Sequence, residues 1–365
     1  MAPHDAPRTA PRPTPARTGY DTHEEGATMT THDAPETLDA ADRAELAGLN
    51  EARLAGAGPA AAEPLARGAA GWFYLALWAF GAGRTADAAG HAARAARLAP
   101  GHTVYPHAAA HLAERRDAGP AEVYTSPDAF AAYIRGGGNV PLYAAATAAL
   151  AGRYRRLRPS RLLDVGTGDG RALLPALDAA AEGGAVPVGR VDVLEPSEAM
   201  RTATEAELAR RGVPFRSFGT TAQRFAAENG AERWELTQST FALQSLPPAD
   251  RRELLAWLRP RTERLLVVDF DSAVPADPLE PEYFAGLLAR LARGIAEYGD
   301  DRALIARGFV LPVVLGPFGA DAERTNYELS LPEWTAELRA AGFEVAEPEL
   351  LDRYWWSPAY LIEAA

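Results

Sequence analysis

The sequence predicts an α/β fold: a doubly wound parallel sheet preceded by an all-helical region. Two observations support this prediction. From Arg153 onward, short apolar runs rich in Val, Leu and Phe alternate with helical stretches, which is the pattern of parallel strands with helices on both faces of the sheet. The chain before Ala118 is instead Ala-rich and has helical periodicity. We predict strands at 161–165, 190–194, 214–218, 235–239, 265–269, 343–346 and 354–362.

The chain has 365 residues, enough for about two domains, and its composition divides it into four regions. We predict a tail at 1–35, a helical region at 36–120, lid or linker helices at 121–152 and an α/β domain at 153–365, with an insertion at 270–331. The tail is rich in Pro, Thr and Ala without an apolar period, so we expect it to be disordered. Met29 offers an alternative start, and the sequence leaves open which Met begins the chain.

Composition and charge exclude several classes of protein. The 37 basic residues are all Arg and stand against 49 acidic residues, for a net charge of −12, so we expect no nucleic-acid or membrane partner. The chain has no Cys and no Lys, which excludes disulfides, cysteine zinc sites and a pyridoxal-type Schiff base. It has no apolar run of about 18 residues and no apolar signal region, so we expect a cytoplasmic protein.

One stretch of the helical region resembles a single tetratricopeptide unit, a hairpin of two helices. Small residues stand where the helices would cross closely, and Pro100 stands where the second helix would end. The residues at the signature offsets are Trp72, Leu75, Ala76, Gly83, Ala88, Ala92, Ala95 and Leu98. A peptide-binding array needs about three such units. We therefore expect the hairpin to pack on the next domain or across a homodimer.

A glycine-rich turn after the first predicted strand carries the main indication of function. It reads Asp-Val-Gly-Thr-Gly-Asp-Gly-Arg from Asp164 to Arg171. Glycines let the backbone approach a ligand where a Cβ would clash, and the following helix start offers free N–H groups. Glu195 ends the second predicted strand, where a carboxylate can accept both hydroxyls of a ribose. The third glycine comes one residue too early for the Gly-x-Gly-x-x-Gly loop of a dinucleotide fold.

At these residues the chain resembles the class I S-adenosylmethionine-dependent methyltransferases. Their first motif is Asp-x-Gly-x-Gly-x-Gly after strand one, and an acid ends strand two. Segments 241–247 and 334–343 are similar to the family's segment after strand four and to its last helix with the following strand. The resemblance covers the chain from residue 153 onward. It implies a seven-stranded, Rossmann-like methyltransferase sheet and S-adenosylmethionine as cofactor.

The resemblance also implies roles for individual residues. Glu195 would hold the ribose of the cofactor, and Asp164 would organise the turn that passes under the methionyl part. Phe241 would lie near the sulfonium and the acceptor. The residues that we expect to contact the cofactor are Asp164, Gly166, Thr167, Gly168, Gly170, Glu195, Thr221, Gln223, Thr240 and Tyr143.

Two further segments are predicted to cover the site. The lid region carries Tyr143 and three glycines at 136–138, a suitable hinge for a lid that excludes water. The insertion is far longer than the usual ~2–6 residues of such a connection and would lie over the carboxyl ends of the strands. Within it, Arg324 and Tyr327 are our candidates for contact with the acceptor, because Arg binds carboxylates bidentately and Tyr meets rings or hydroxyls.

The seven His residues all precede residue 112. A general base in the α/β domain must therefore be a carboxylate or a Tyr, unless His107 or His111 reaches over from the helical region. A metal site in that domain would have to consist of carboxylates alone, and we expect none.

These observations predict a methyltransferase for a small acceptor, an aromatic or amino-acid-derived secondary metabolite methylated on carbon or oxygen. Four alternatives stay open at this point: a peptide or protein methyltransferase that docks through the helical region, an RNA methyltransferase, a non-enzymatic scaffold and a dehydrogenase. The sequence does not determine the acceptor, the methylated atom or the oligomeric state.

Overall fold

The computed structural model describes residues 38–118, 126–182, 184, 187–320 and 324–365. The predicted tail, Met29 and the start of the predicted lid lie outside these residues. The described helices are α1 (Ala40–Leu54), α2 (Pro59–Ala62), α3 (Ala69–Gly81), α4 (Thr85–Leu98), α5 (Tyr105–Ala118), α6 (Pro127–Arg135), α7 (Asn139–Leu157), α8 (Leu173–Ala180), α9 (Glu198–Arg210), α10 (Ala222–Glu228), α11 (Pro248–Leu258), α12 (Pro281–Ala296), α13 (Arg302–Ile305), α14 (Leu311–Leu315) and α15 (Leu331–Ala340). Within the described ranges, none of them combines the length and apolar character that a membrane crossing requires.

The α/β domain is built on one seven-stranded sheet in the order β3-β2-β1-β4-β5-β7-β6. The strands are β1 (Arg161–Val165), β2 (Arg190–Leu194), β3 (Phe215–Phe218), β4 (Trp234–Thr240), β5 (Thr262–Phe270), β6 (Glu349–Asp352) and β7 (Ala359–Ala364). The first five strands run parallel. The predicted α/β class and the number of strands are confirmed.

The last two strands correct the prediction of a wholly parallel sheet. β7 runs antiparallel to both β5 and β6, because the connection at 353–358 joins two sheet neighbours directly, whereas a parallel pair needs a crossover. The predicted strand at 343–346 is reduced to one isolated bridge at Val345. The last strand begins at Ala359 and not at Tyr354, so the aromatic residues before it lie in a loop.

Alternating apolar side chains form a hydrophobic core on each face of the sheet. On one face, Leu162 and Leu266 pack with α7 and α8. On the other face, Leu163 and Leu265 pack with α11 and α15. Neighbouring residues point to opposite faces because side chains alternate along a strand. The parallel strands are therefore covered on both faces, and their carboxyl ends meet at one edge of the sheet.

The helical region packs on the insertion through one shared hydrophobic cluster. The predicted pair of helices is present as α3 and α4, and its tetratricopeptide character stays a resemblance. The ring of Phe284 on α12 lies 5.9 Å from that of Phe73 and 5.2 Å from that of Tyr74, both on α3. Arg53 of α1 forms an ion pair with Asp277 of the insertion. The helical region therefore supports the insertion, and packing across a homodimer stays a prediction.

We expect Phe284→Ala to destabilise the helical region and the insertion together. Phe284 is 1% exposed, and removing a buried aromatic ring lowers the free energy of unfolding by ~3–5 kcal/mol. Urea denaturation followed by fluorescence measures this loss. Leu304→Ala is the control, because Leu304 is 42% exposed and its truncation should change the free energy by ~0.5 kcal/mol or less. Equal losses in the two variants would contradict a structural role for the shared cluster.

Candidate functional site

The candidate site begins at the glycine turn after β1. Gly166, Gly168 and Gly170 have φ values of +71°, +58° and +75°, a left-handed conformation that strains other residues. A Cβ on Gly166 would lie 2.4 Å from the Cβ of Ala242, whereas a Cβ on Gly168 would meet nothing within 4 Å beyond its chain neighbours. Gly166 therefore permits a close approach to the segment after β4, and Gly168 borders open space.

Glu195 ties this turn to the end of β2. The residue is 8% exposed. Its Oε2 accepts a hydrogen bond from the Gly168 N–H (2.9 Å), and its Oε1 accepts one from the Ser197 N–H (2.8 Å). The backbone oxygen of Leu194 accepts a third bond, from the Gly166 N–H (2.8 Å). The turn thus has its backbone donors satisfied by the neighbouring strand end.

Asp164 is the last acidic group before the turn and forms part of the floor of the site. The residue is 3% exposed, and this burial raises the pKa of its carboxyl to about 7. The carboxylate of Glu195 adds to the increase, and the side chains of Gln238 and Thr167 reduce it. The Thr167 hydroxyl donates to the backbone oxygen of Asp164 (3.0 Å). A carboxyl that changes its protonation near neutral pH therefore lies directly beneath the turn.

A cavity of about 180 Å³ opens at the carboxyl edge of the sheet, between the glycine turn, the end of β4 and α6. The predicted site residues that line it are Tyr143, Asp164, Gly166, Thr167, Gly168, Thr240 and Phe241. The lining residues that were not among the predicted site residues are Phe130, Ile134, Asp169, Arg171, Ala172, Met200 and Ala242. Phe130 and Ile134 are four residues apart on α6, a spacing that places both on one face and could have indicated them.

The end of β4 supplies an aromatic wall and a free hydroxyl. Phe241 has a φ of +52°, which is unusual for a residue other than glycine and marks strain of the kind that is found at functional sites. Its ring stacks on Phe270 at 4.7 Å and meets the edge of Tyr143 at 5.9 Å. The Oγ1 atom of Thr240 is buried and has no hydrogen-bond partner. A ligand in the cavity would find both a ring surface and an unsatisfied hydroxyl.

The helices α6 and α7, predicted as a lid, line the cavity and are anchored to the insertion and to the loop before β7. The Tyr133 and Tyr354 hydroxyls lie 2.6 Å apart, which joins α6 to the loop before β7. Asn139, at the start of α7, donates to the Tyr298 hydroxyl (2.9 Å). The Gly138 N–H donates to the Glu297 carboxylate (2.8 Å). The glycine hinge is therefore held by polar contacts that must break if the cover opens.

The predicted acceptor contacts Arg324 and Tyr327 do not line the cavity. Arg324 is exposed, donates to the backbone oxygen of Asn326 (2.9 Å) and lies 5.1 Å from the ring of Tyr327. The Tyr327 N–H donates to the backbone oxygen of Gln244 (2.7 Å). An exposed guanidinium keeps its hydration, so nothing draws Arg324 into the wall. Their predicted role stays a prediction.

Four predicted cofactor contacts also lie away from the cavity wall: Gly170, Glu195, Thr221 and Gln223. Glu195 acts behind the turn, as described, and a Cβ on Gly170 would lie 2.6 Å from Leu174. Thr221 caps α10, and Gln223 donates to Asp250 (2.8 Å). Both are exposed beyond β3, and their contact with a cofactor stays a prediction.

Sequence reasoning missed one buried acid at the same edge. Asp269, near the end of β5, is 2% exposed. Its Oδ1 accepts a hydrogen bond from the Phe270 N–H (2.8 Å), whereas Oδ2 is buried without a partner. Burial raises the pKa of this carboxyl to about 8, and Glu328 adds to the increase. A carboxylate at the end of a wholly apolar strand run was the signal that could have identified it.

Comparison with known proteins found likeness to solved structures only. No protein-family model matches the chain, and no curated protein matches it. An O-methyltransferase family protein from Burkholderia thailandensis is 11% identical over 60% of this chain and 54% of that chain, with a TM-score of 0.39. This chain therefore matches about half the length of that protein.

For two further solved structures, the match covers a larger share of their own chains. The 1,6-didemethyltoxoflavin-N1-methyltransferase from Burkholderia thailandensis, with bound 1,6-didemethyltoxoflavin and S-adenosylhomocysteine, is 19% identical over 69% of this chain and 84% of that chain (TM-score 0.39). Magnesium protoporphyrin IX methyltransferase from Synechocystis PCC 6803, with bound S-adenosylhomocysteine, is 13% identical over 68% and 90% (TM-score 0.43). Likenesses this low carry no weight for function, which must be argued from the site.

We expect the buried carboxyls of Asp164 and Asp269 to lower stability as the pH rises from 5 to 8, and Asp269→Asn to remove the part of this effect that is due to Asp269. The folded chain keeps Asp164 and Asp269 protonated up to pKa values of about 7 and about 8, whereas unfolded Asp ionises near ~3.9. In this window these two carboxyls bind fewer protons in the unfolded chain than in the folded chain, so their contribution to the free energy of unfolding decreases with pH.

Urea denaturation at pH 5 and pH 8 measures this dependence. From pH 5 to pH 8, the free energy of unfolding of Asp269→Asn should increase by ~1 kcal/mol or more relative to that of the parent, since one pKa unit corresponds to ~1.4 kcal/mol. Asp300→Asn, at an exposed position, is the control and should follow the parent. An Asp269→Asn variant whose stability changes between the two pH values as the parent's does would show that Asp269 is ionised in the folded chain.

Proposed function

We propose that the chain is a class I S-adenosylmethionine-dependent methyltransferase that transfers a methyl group to a small-molecule acceptor. The observation that carries the proposal is the turn at Gly166 and Gly168, which borders open space at the carboxyl edge of the sheet while Glu195 holds its backbone. In an open α/β sheet this edge is where ligands bind. The turn's glycine spacing is that of a methyltransferase and not of a dinucleotide fold.

The residues of the cavity fit this cofactor. The Cβ position of Gly168 is free, and the buried Oγ1 of Thr240 lacks a partner. Behind the turn and outside the cavity wall, the Glu195 carboxylate accepts two N–H groups and keeps acceptor sites with which we propose that it holds ribose hydroxyls. The cavity of about 180 Å³ is smaller than the ~300–1,000 Å³ of typical ligand pockets, and we propose that α6, which carries Phe130, moves outward on binding.

The chain's own residues would position the reaction partners and keep water out. When bound, S-adenosylmethionine supplies a methyl carbon that its sulfonium activates for in-line displacement. Alignment supplies much of the acceleration in such a transfer. The stacked rings of Phe241 and Phe270, with Tyr143 at their edge, form an apolar wall that excludes water.

The acceptor that suits this wall carries a planar ring. Aromatic surfaces pack on rings in offset or edge-to-face arrangements, and both Phe241 and Tyr143 line the cavity. We therefore propose an aromatic or amino-acid-derived acceptor, methylated on carbon or oxygen, with Phe241 as the residue beside the reacting atoms. The parts predicted for Arg324 and Tyr327 remain to be tested by substitution.

We expect Gly168→Val to abolish cofactor binding. A branched side chain at this position would occupy the space beside the turn. Calorimetry with S-adenosylhomocysteine measures the affinity. Gly212→Val is the matched control, because Gly212 also has a positive φ (+66°) and open space around its Cβ position, but lies after α9, away from the cavity. Unchanged affinity in Gly168→Val would overturn the assignment of the cofactor site.

We expect Thr240→Val to weaken cofactor or acceptor binding without loss of stability. The two side chains have the same shape, and the Thr240 hydroxyl has no partner within the described chain, so its removal costs the fold nothing. Loss of one hydrogen bond to a ligand should raise the dissociation constant by about 2–10-fold. Thr202→Val, at an exposed position on α9, is the control. A destabilised Thr240→Val with parent-like binding would show a purely structural role.

A further inference from the structure

A second polar cluster lies on the insertion, around a half-buried arginine. Tyr283 and Arg290 are seven residues apart on α12, two turns along one face of the helix. The Arg290 guanidinium lies 5.3 Å from the ring of Tyr283 and 5.2 Å from the ring of Trp356. It thus contacts two aromatic rings, an arrangement that attracts a cation but does not neutralise it.

Arg290 has no carboxylate in contact. Among the described residues no acidic oxygen lies within 4.0 Å of its guanidinium, and its Nε is buried without a hydrogen-bond partner. Burial lowers the pKa of Arg290 below its usual value. Leaving a buried charge without a partner is unfavourable, so a ligand anion would stabilise this position.

The acid that acts electrostatically on Arg290 is Glu328, which is held in place by other donors. Its Oε2 accepts from the Ser272 hydroxyl (2.6 Å), and its Oε1 accepts from the Trp356 indole N–H (3.0 Å). Burial raises the pKa of Glu328, and these hydrogen bonds offset the increase only in part. The carboxylate therefore has acceptor capacity left and would gain from a nearby cation.

A structural ion pair in the same chain behaves differently. Arg216 lies 2.6 Å from Asp192. Burial alone would raise the pKa of Asp192, but the hydrogen bonds from Arg216 and Trp234 bring it below its usual value. The same ion pair raises the pKa of Arg216. In the insertion the pKa of the arginine, Arg290, is lowered and the pKa of the acid, Glu328, is raised. Arg290 and Glu328 are thus two opposite charges held near each other but unpaired.

The cluster lies at the same edge of the sheet as the cavity. Ser272 follows β5 by two residues, and its N–H donates to the backbone oxygen of Leu329 (3.1 Å). A continuous series of rings joins the cluster to the cavity wall. Its successive centroid distances are 5.9, 5.5, 5.5 and 4.7 Å, through Trp356, Trp355, Tyr354, Phe270 and Phe241.

We propose that Arg290 and Glu328 bind the head group of an α-amino acid acceptor, with its carboxylate at Arg290 and its ammonium at Glu328. This assignment rests on the proposed methyl transfer and names the class of its substrate. A lone anion would be repelled by Glu328 and a lone cation by Arg290. A zwitterion satisfies both, and its side chain would be directed toward the edge of the sheet at which the cavity lies.

The test compares three ligands that differ only in the head group. Calorimetry measures binding of L-phenylalanine, of 2-phenylethylamine, which lacks the carboxylate, and of 3-phenylpropionate, which lacks the amine. Saturating S-adenosylhomocysteine is present, so that phenylalanine cannot bind where the cofactor's own methionyl part binds. We expect the parent to prefer phenylalanine over each analogue by about tenfold or more, which corresponds to ~1.4 kcal/mol.

Substitutions then assign each preference to one side chain. Arg290→Gln should lose the preference over phenylethylamine and keep the preference over phenylpropionate, and Glu328→Gln should do the reverse. Arg290→Lys keeps the charge and should retain part of the first preference. A merely structural role would weaken all three ligands equally. The controls Arg339→Gln and Glu347→Gln remove matched charges at exposed positions and should behave as the parent.

Two outcomes would overturn the proposal: a parent that does not distinguish the three ligands, or an Arg290→Gln variant that distinguishes them as the parent does. The result is also separable from the proposed function. If S-adenosylhomocysteine does not bind but phenylalanine is preferred, the head-group site is supported and the proposed methyl transfer is wrong. If S-adenosylhomocysteine binds and no preference is found, methyl transfer stands and the amino acid class is wrong.

Discussion

The hydrogen bonds between the glycine turn and the end of β2 are the interaction on which the site depends. Parallel pairing places Val165 opposite Leu194, so the next residues of the two strands, Gly166 and Glu195, emerge side by side. The Gly168 N–H then reaches the Glu195 carboxylate, and the turn is held open in a conformation that needs glycine. A ligand meets a prearranged backbone, and little ordering has to occur on binding.

Aromatic packing connects this turn to the rest of the molecule. Phe241 belongs to the clusters on one face of the sheet and in the insertion, and Phe270 stacks between it and Tyr354. Tyr354 in turn meets Tyr133 of the cover. The helical region contributes by packing on α12 through Phe284. These contacts therefore connect three segments that are far apart in sequence to the same edge of the sheet: the covering helices, the insertion and the helical region.

Charge is buried in two different ways in this chain. Asp192 lies in the sheet with Arg216 and Trp234 as donors, and its charge is fully compensated. Asp164 and Asp269 are buried at the carboxyl edge with raised pKa values. Uncompensated groups of this kind reduce stability, and they concentrate where a ligand or a proton transfer can use them.

The sequence by itself determined the features that depend on short stretches of chain. The strand runs from β1 to β5, the glycine turn, Glu195 beside it and the pair α3 and α4 each follow from local patterns of size, polarity and φ preference. Of the predicted site residues that line the cavity, Asp164, Gly166, Thr167 and Gly168 come from this local signal. Tyr143, Thr240 and Phe241 were implied by the resemblance to a known family. The predicted bounds of the last two strands, 343–346 and 354–362, were wrong. Strand pairing with a distant partner, and not propensity, decides where β6 and β7 begin.

Only the tertiary structure decided which distant residues meet. Arg324 was predicted to contact the acceptor because an arginine can bind a carboxylate bidentately, yet it is exposed. Arg290, which the sequence analysis did not single out, is the arginine whose guanidinium is half-buried between two rings. The direction of β7, the anchoring of the cover and the separation of Arg290 from Glu328 arise from packing between remote segments. No local pattern encodes them, because burial and charge pairing depend on what the fold brings alongside each residue.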